Sequence, residues 1–79
     1  MDRVSVERLK WRSRRGLLEL DLVFQRYWKA NEEALQKDEA EVLERLLRLP
    51  DNDLLDLVMG RSAARDAASA ALVEKLKAV

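Results

Sequence analysis

The residues best suited to polar chemistry lie together in the stretch Arg15-Gly16-Leu17-Leu18-Glu19. Arg15 carries a planar guanidinium whose donors match the two oxygens of a carboxylate or a phosphate. Glu19 follows four residues later, so on one uninterrupted helix the two side chains would form a weak ion pair worth about 0.3 to 0.5 kcal/mol. If the helix breaks between them, the guanidinium and the carboxylate flank a corner and face a partner side by side. The spacing alone allows either arrangement.

The charges around Gly16 favour a helix break at this glycine. Three arginines precede it and two acids follow it, at Arg12, Arg14, Arg15, Glu19 and Asp21. Cations suit the carboxyl end of one helix, and anions suit the first turn of the next. Glycine adopts a positive φ at little steric cost, and its missing side chain also lets another backbone approach closely. Gly16 can therefore serve the backbone, an interface or both.

The composition excludes several classes of catalysis. The chain has no histidine and no cysteine, so it lacks the side chains most used for acid–base catalysis near neutral pH, thiolate chemistry and zinc binding. Two acidic pairs, Asp38/Glu39 and Asp51/Asp53, coincide with helix-start signals and lack the spacing of a calcium loop. We therefore predict a protein that is not an enzyme and holds no metal ion.

The length and the charge distribution indicate one small globular domain. The 79 residues, 48% of them hydrophobic, suffice for a single domain over residues 1–79, with an ordered core expected over about residues 5–77. The net charge is zero, but residues 1–15 hold six of the 15 Lys and Arg residues against two acids, so a basic end precedes an acidic body. The longest apolar run, Ala70-Ala71-Leu72-Val73, is far shorter than the ~20 residues that span a bilayer. We expect a soluble, cytoplasmic protein, which fits the absence of disulfides.

The spacing of apolar residues predicts an all-α fold, a small single-domain bundle of about five helices. The first helix is short, is capped by Ser5 and extends to Gly16. Its apolar side would carry Val6, Leu9 and Trp11.

The second helix is predicted to be the central one. Its apolar residues recur at three- and four-residue spacing, which is typical of a buried helical face. The predicted core face consists of Leu17, Leu20, Phe24, Tyr27 and Trp28, widened by Leu18, Leu22 and Val23. No proline or glycine marks the end of this helix, so its boundary with the third helix stays open within about residues 32–37.

Proline, glycine and polar residues delimit the last three helices. Pro50 is expected to end the third helix at Leu49. A short fourth helix, Leu54 to Met59, follows three polar capping residues and is terminated by Gly60. Ser62 would cap the fifth helix, whose alanines, with Leu72 and Leu76, would form a thin face lying close against its neighbours.

The motif around Gly16 resembles that of a known protein family. It reads Arg14-Arg15-Gly16-Leu17-Leu18-Glu19-Leu20-Asp21, with Arg8 and Trp11 upstream and Asp51-Asn52-Asp53-Leu54-Leu55 downstream. In these residues the chain resembles the SdhE family of FAD assembly factors, the assembly factors of succinate dehydrogenase. The resemblance extends over most of the chain, and its specific core is the RGxxE motif at residues 15–19.

The resemblance implies a helper protein that binds the flavoprotein subunit of succinate dehydrogenase, and that of fumarate reductase, and promotes covalent attachment of FAD to a histidine of that subunit. On this basis we assign partner binding to Arg8, Trp11, Arg14, Arg15, Gly16 and Glu19. The protein would hold no FAD stably and would handle the cofactor through its client, by positioning flavin and histidine. Whether it also contacts FAD directly stays open. It is expected to be a monomer that neither inserts into a membrane nor binds nucleic acid.

The arginine-rich first helix leaves a second function open, that of a small regulatory or nucleic-acid-binding module. Trp11 would then stack on a base, and relatives of the family have also been described as antitoxins. Against this interpretation, the body of the chain is acidic and the basic patch covers only one short helix. A solvated cationic face without a partner is a third interpretation of the same residues.

Overall fold

Five α-helices joined by short loops form the chain in the computed structural model, which describes residues 3–79, with side chains from residue 4 onward. The helices are α1 Arg3–Arg12, α2 Leu18–Asn31, α3 Lys37–Leu47, α4 Asp51–Val58 and α5 Ala67–Ala78. Residues 3–79 contain no strand, which confirms the predicted all-α fold. Within the same range, no helix has both the length and the apolar character needed to cross a membrane.

The hydrophobic core is shared by all five helices. α5 packs against α2, α3 and α4, while α1 packs against α3 and α2 against α4. The largest fully buried side chains are Tyr27, Phe24, Leu20, Leu43, Leu54 and Leu76. Three of these six belong to α2, so the second helix is central to the core, as its sequence predicts.

The buried face of α2 is narrower than predicted. Leu20, Phe24, Tyr27 and Trp28 are buried, which confirms the centre of the predicted arc. Leu18, however, is 70% exposed and Leu22 is 40% exposed, so the prediction that they widen the core face is wrong. Because they lie four residues apart on the side of α2 turned away from Tyr27, they project into solvent.

The ends of α1 and α4 differ from the predicted boundaries. α1 already includes Ser5 and ends at Arg12, so Ser5 is not its cap and the helix does not reach Gly16. α4 begins directly after Pro50, whose carbonyl accepts the Leu54 amide at 3.0 Å. Proline has a φ suited to this position, so the aspartates that follow lie in the first helical turn instead of preceding it.

The boundaries of α3 and α5 also need correction. α3 ends at Leu47, two residues before the predicted end. α5 is capped by Asp66, whose side chain accepts the Ser69 amide at 2.7 Å, and not by Ser62. Its register buries Ser69, Leu72, Val73 and Leu76 and leaves the alanines at 67, 68, 70 and 71 exposed, because the larger aliphatic side chains gain more from burial.

Both glycines adopt the positive φ that their positions predict, +79° at Gly16 and +78° at Gly60. Gly60 terminates α4 as expected: its amide donates to Leu57 O at 3.2 Å, and the Arg61 amide donates to Asp56 O at 2.8 Å. This pair of bonds is the Schellman arrangement of a helix end. The loop of residues 32–36 separates α2 from α3 within the predicted interval.

A polar link ties α2, α3 and α5 together beside the core. The Tyr27 hydroxyl donates to Glu39 Oε2, and Lys75 Nζ lies 2.9 Å from Glu39 Oε1. Burial and the bond to Glu39 raise the pKa of Tyr27 far above its ordinary value. Burial also acts to raise the pKa of Glu39, but the bonds from Tyr27 and Lys75 outweigh it and hold that pKa below its ordinary value.

Candidate functional site

The connection between α1 and α2, residues 13–17, forms a corner that is tied to the protein at its first residue. Ser13 is buried, although it is polar. Its hydroxyl donates to Lys10 O at 2.7 Å and accepts the Trp28 indole N–H at 3.0 Å. The bond to Trp28 satisfies a buried donor in the core, so it anchors the start of the corner to α2.

Arg15 anchors the middle of the corner to the junction between α3 and α4. Its guanidinium donates through Nη2 to Leu47 O, and Nη1 lies 3.4 Å from Asp51 Oδ1. Leu47 is the last residue of α3, so its carbonyl is one of the acceptors that a helix end leaves without an intrahelical partner. The Arg15 side chain is only 16% exposed. It therefore points into the protein.

Asp21 holds the backbone of the corner from the other side. Its Oδ1 accepts the Arg15 amide at 2.9 Å, and its own amide donates to Leu17 O at 2.9 Å. Asp21 lies in the first turn of α2, where a negative charge is also favoured by the helix dipole. The side chain of Asp21 therefore fixes the direction in which the chain enters α2.

Gly16 lies at the tip of the corner and is exposed. A β-carbon added there would meet nothing within 4 Å. Crowding within the protein therefore does not require glycine at this position, whereas the φ of +79° does favour it. The space above the tip is open to a partner.

Arg15 and Glu19 are not presented side by side. The corner separates them, as the second of the two sequence interpretations requires, but only Glu19 faces outward. Glu19 is exposed and is in no ion pair with the residues that the structure describes. The side-by-side presentation expected for a broken helix is not formed, because the α3 end offers Arg15 an acceptor inside the protein.

Trp11 and Arg14 form the outer wall of the corner. Trp11 is 69% exposed, so its predicted place on the apolar side of α1 is wrong. The Arg14 guanidinium carbon lies 5.4 Å from the centre of the Trp11 ring, a cation–π contact that orders two exposed side chains. Both residues line a groove of 730 Å³ between α1 and α2, which also reaches the buried Phe24 and Trp28.

Two exposed leucines extend this surface along α2. Leu18 and Leu22 lie on successive turns, and Gln25 and Lys29, which line the groove, continue the same helical stripe. We call the exposed residues of the corner and of the helix turns beside it the corner face: Trp11, Arg14, Gly16, Leu18, Glu19 and Leu22. The sequence interpretation missed the leucines. The sequence did contain a signal for them, because the apolar arc of α2 is wider than the neighbouring helices can cover.

The last of the six predicted site residues, Arg8, lies apart from the corner face. It is exposed on α1 and lines a smaller groove between α1 and α3, with Arg12 and Lys37. The structure thus brings Trp11 and Arg14 together on one groove, exposes Gly16 at the tip and Glu19 on the first turn of α2, places Arg15 behind the tip and leaves Arg8 on the other flank of α1.

Comparison with known proteins identifies the family. A family model described as flavinator of succinate dehydrogenase matches residues 7–79. A Ralstonia nicotianae protein named FAD assembly factor SdhE is 48% identical over 54 residues, which are 68% of this chain and 57% of that protein. A Methylococcus capsulatus protein of the same name is 40% identical over 72 residues, 91% of this chain and 87% of that protein. One from Coxiella burnetii is 30% identical over 74 residues, 94% of this chain and 90% of that protein. The chain therefore belongs to the family of succinate dehydrogenase flavinators.

Proposed function

We propose that this protein is an FAD assembly factor that binds the flavoprotein subunit of succinate dehydrogenase, and the corresponding subunit of fumarate reductase, and promotes their covalent flavinylation. Family membership supports the assembly role. The chain lacks histidine and cysteine, the side chains most often flavinylated, which supports a flavin bond formed between the client subunit and its cofactor. The protein acts by binding and not as an enzyme.

The observation that carries this proposal is the exposed Gly16 at the tip of a corner tied down on three sides. A partner can approach the backbone closely there, because no side chain stands above it. Trp11 and Arg14 beside the tip are of the types that dominate binding energy at interfaces. Since Ser13, Arg15 and Asp21 already hold the corner in shape, binding costs little ordering entropy.

The corner face promotes flavinylation by selecting one conformation of the client. A protein that binds the client better when flavin and histidine are close shifts the population toward that arrangement, and holding two reactants together lowers the entropic part of the barrier. The protein acts as a monomer. FAD is handled through the client, without a stable site on this protein.

The test replaces Gly16 and Gly60 in parallel, because the two glycines have nearly the same φ and lie in different parts of the fold. Gly16→Arg and Gly60→Arg strain the backbone alike, but Gly60 lies at the end of α4 that is remote from Asp51 and the corner. Each variant is co-expressed with the flavoprotein subunit, and covalent flavin is read from the fluorescence of the denatured client. We expect Gly16→Arg to reduce covalent flavin about tenfold or more, and Gly60→Arg to leave it near wild type. Wild-type flavinylation with Gly16→Arg would exclude the corner face as the contact surface.

Nucleic acid is not proposed as a partner, because carboxylates already engage much of the basic end of the chain. Lys10 pairs with Glu32, Arg12 with Glu44 at 3.2 Å and Arg15 with Asp51 at 3.4 Å. Phosphate binding relies on cations that are free to replace counterions. A mobility shift of nucleic acid that disappears steeply with added salt would contradict this assignment.

A further inference from the structure

We infer that Arg15 is a positioning residue: with Asp51 it clamps the corner against the α3–α4 junction and so sets the orientation in which Gly16 and Glu19 meet the client. The inference rests on the proposed function, since it concerns the same surface. It adds Asp51, a residue outside the motif at residues 15–19, to the set on which client binding depends.

The geometry of Arg15 is that of a clamp. Its amide is held by Asp21 in α2, while its guanidinium is held by Leu47 O and Asp51, which lie 32 and 36 residues further along the chain. The residue directly before Gly16 is thus fixed from two sides by three different helices. Only 16% of the Arg15 side chain is exposed, so Arg15 has little surface left to offer a partner.

The hydrogen bonds of Arg15 are better suited to fixing the orientation of the corner than to stabilising the fold. Its Nε is buried and has no hydrogen-bond partner among the described residues, so part of the cost of burying the guanidinium is not recovered. The pair is only half-buried, since the Asp51 side chain is 43% exposed, and such pairs add little stability. What the two guanidinium bonds supply is a fixed direction for the corner, a role that polar groups play in some other folds. The corner needs such a fixed direction, because Gly16 itself is free to adopt many conformations.

The clamp makes a prediction that a direct contact does not. If Arg15 touched the client, removing Asp51 would leave the guanidinium available, and the affinity for the client would be unchanged or higher. If Arg15 acts as a clamp, removing Asp51 loosens the corner and weakens binding, although the motif is intact. Substitutions at Arg15 and at Asp51 would then reduce the affinity for the client by the same amount alone and together, because each removes the same clamp.

The test measures the affinity of the purified, unflavinylated flavoprotein subunit for five variants. These are Asp51→Ala, Asp51→Glu, Arg15→Lys, the double variant of Asp51→Ala with Arg15→Lys, and Glu44→Ala. Lysine keeps the charge at position 15 but lacks the planar fork that aims two separate nitrogens at Leu47 O and Asp51, and it disturbs the fold less than alanine would. Glu44→Ala is the matched control. It removes a different ion pair between helices, the one in which Arg12 of α1 lies 3.2 Å from Glu44 of α3.

We expect Asp51→Ala and Arg15→Lys each to weaken client binding by about three- to tenfold, and the double variant to bind about as weakly as the weaker single variant. Glu44→Ala should bind within about twofold of wild type. In amide NMR spectra of the free protein, the Gly16 resonance should shift in Asp51→Ala and not in Glu44→Ala. Asp51→Glu should restore both the resonance and the affinity, because it keeps the carboxylate.

Two results would overturn the clamp alone: an unchanged affinity in Asp51→Ala, or losses in the double variant that simply add. The same assay with Gly16→Arg tests the proposed function separately. If the wild type does not bind the flavoprotein, or if Gly16→Arg binds as well as wild type, the corner face is not the contact surface, and the role of the clamp in client binding fails with it.

Discussion

The two faces of α2 carry similar residues and have opposite surroundings. Leu20 is fully buried on one face, whereas Leu18, two residues earlier, is 70% exposed on the other. The difference lies in what packs against each face: α4 and α5 contact α2, while Leu18 and Leu22 face solvent beside the corner. An apolar side chain thus belongs to the core only where a neighbouring helix covers it. An uncovered apolar strip next to a rigid corner is suited to a partner.

Replacing a central residue of the buried face should have the largest effect on stability. Phe24 is 1% exposed, and Phe24→Ala leaves a cavity that should lower the free energy of unfolding by roughly 3 to 5 kcal/mol. A domain of this size has about that much stability in total, so the variant should be largely unfolded at 37 °C in thermal melts followed by circular dichroism. Melting within a few degrees of wild type would show that this face is not the core.

A smaller loss is expected at the hydrogen bond between the corner and the buried face. Ser13→Ala leaves the buried Trp28 indole N–H without its acceptor, which should lower the free energy of unfolding by about 1 to 3 kcal/mol. Ser62→Ala, in an exposed loop, is the control and should unfold like wild type in urea. Equal midpoints for both variants would contradict an anchoring role for Ser13.

Tyr27→Phe should lower the free energy of unfolding by about 1 kcal/mol at neutral pH. It removes a hydrogen bond to the ionised carboxylate of Glu39, which is partly exposed to solvent. Since the folded pKa of Glu39 is lowered, this stability is present above its ordinary pKa and is lost as the pH falls through the lowered value. Urea unfolding at several pH values should show the two proteins converging below about pH 4.5. A difference that stays constant into acid would mean that Tyr27 does not depend on the charge of Glu39.

The smallest effect on stability is expected on the exposed face. Leu18→Ser should change the free energy of unfolding by no more than about 0.5 kcal/mol, yet it should reduce covalent flavinylation of the client, because it removes an apolar contact from the corner face. Met59→Ser is the matched control, since Met59 is also exposed, at 46%, but follows α4. Equal flavinylation with both variants would show that the exposed face of α2 is not used.

Local signals in the sequence predict much of the fold. The five helices, the loop between α2 and α3, the positive φ of both glycines and the buried centre of α2 all follow from spacing, charge and turn chemistry within a few residues. The break around Gly16 is predicted correctly as well, although α1 ends earlier, at Arg12. Each of these features depends on neighbours along the chain.

What the sequence does not predict depends on residues that are distant along the chain. The inward direction of Arg15 is set by Leu47 O, 32 residues away, and local spacing carries no information about that acceptor. The exposure of Leu18 depends on where α4 and α5 pack. The choice of Asp66 over Ser62 as the cap of α5 follows from the register that buries Leu72 and Leu76, which is also decided by tertiary packing.

The contrasting exposure of the two tryptophans gives the protein two intrinsic fluorescent reporters. Trp11 is 69% exposed on the corner face, whereas Trp28 is 6% exposed in the core. An exposed indole emits at longer wavelength than a buried one, so the red edge of the emission spectrum reports on Trp11 and the blue edge on Trp28. Client binding should move the red edge, and unfolding should move the blue edge. In the free protein, a label-free spectrum that keeps its blue edge therefore identifies a variant that folds, so that any loss of client binding by that variant can be assigned to docking.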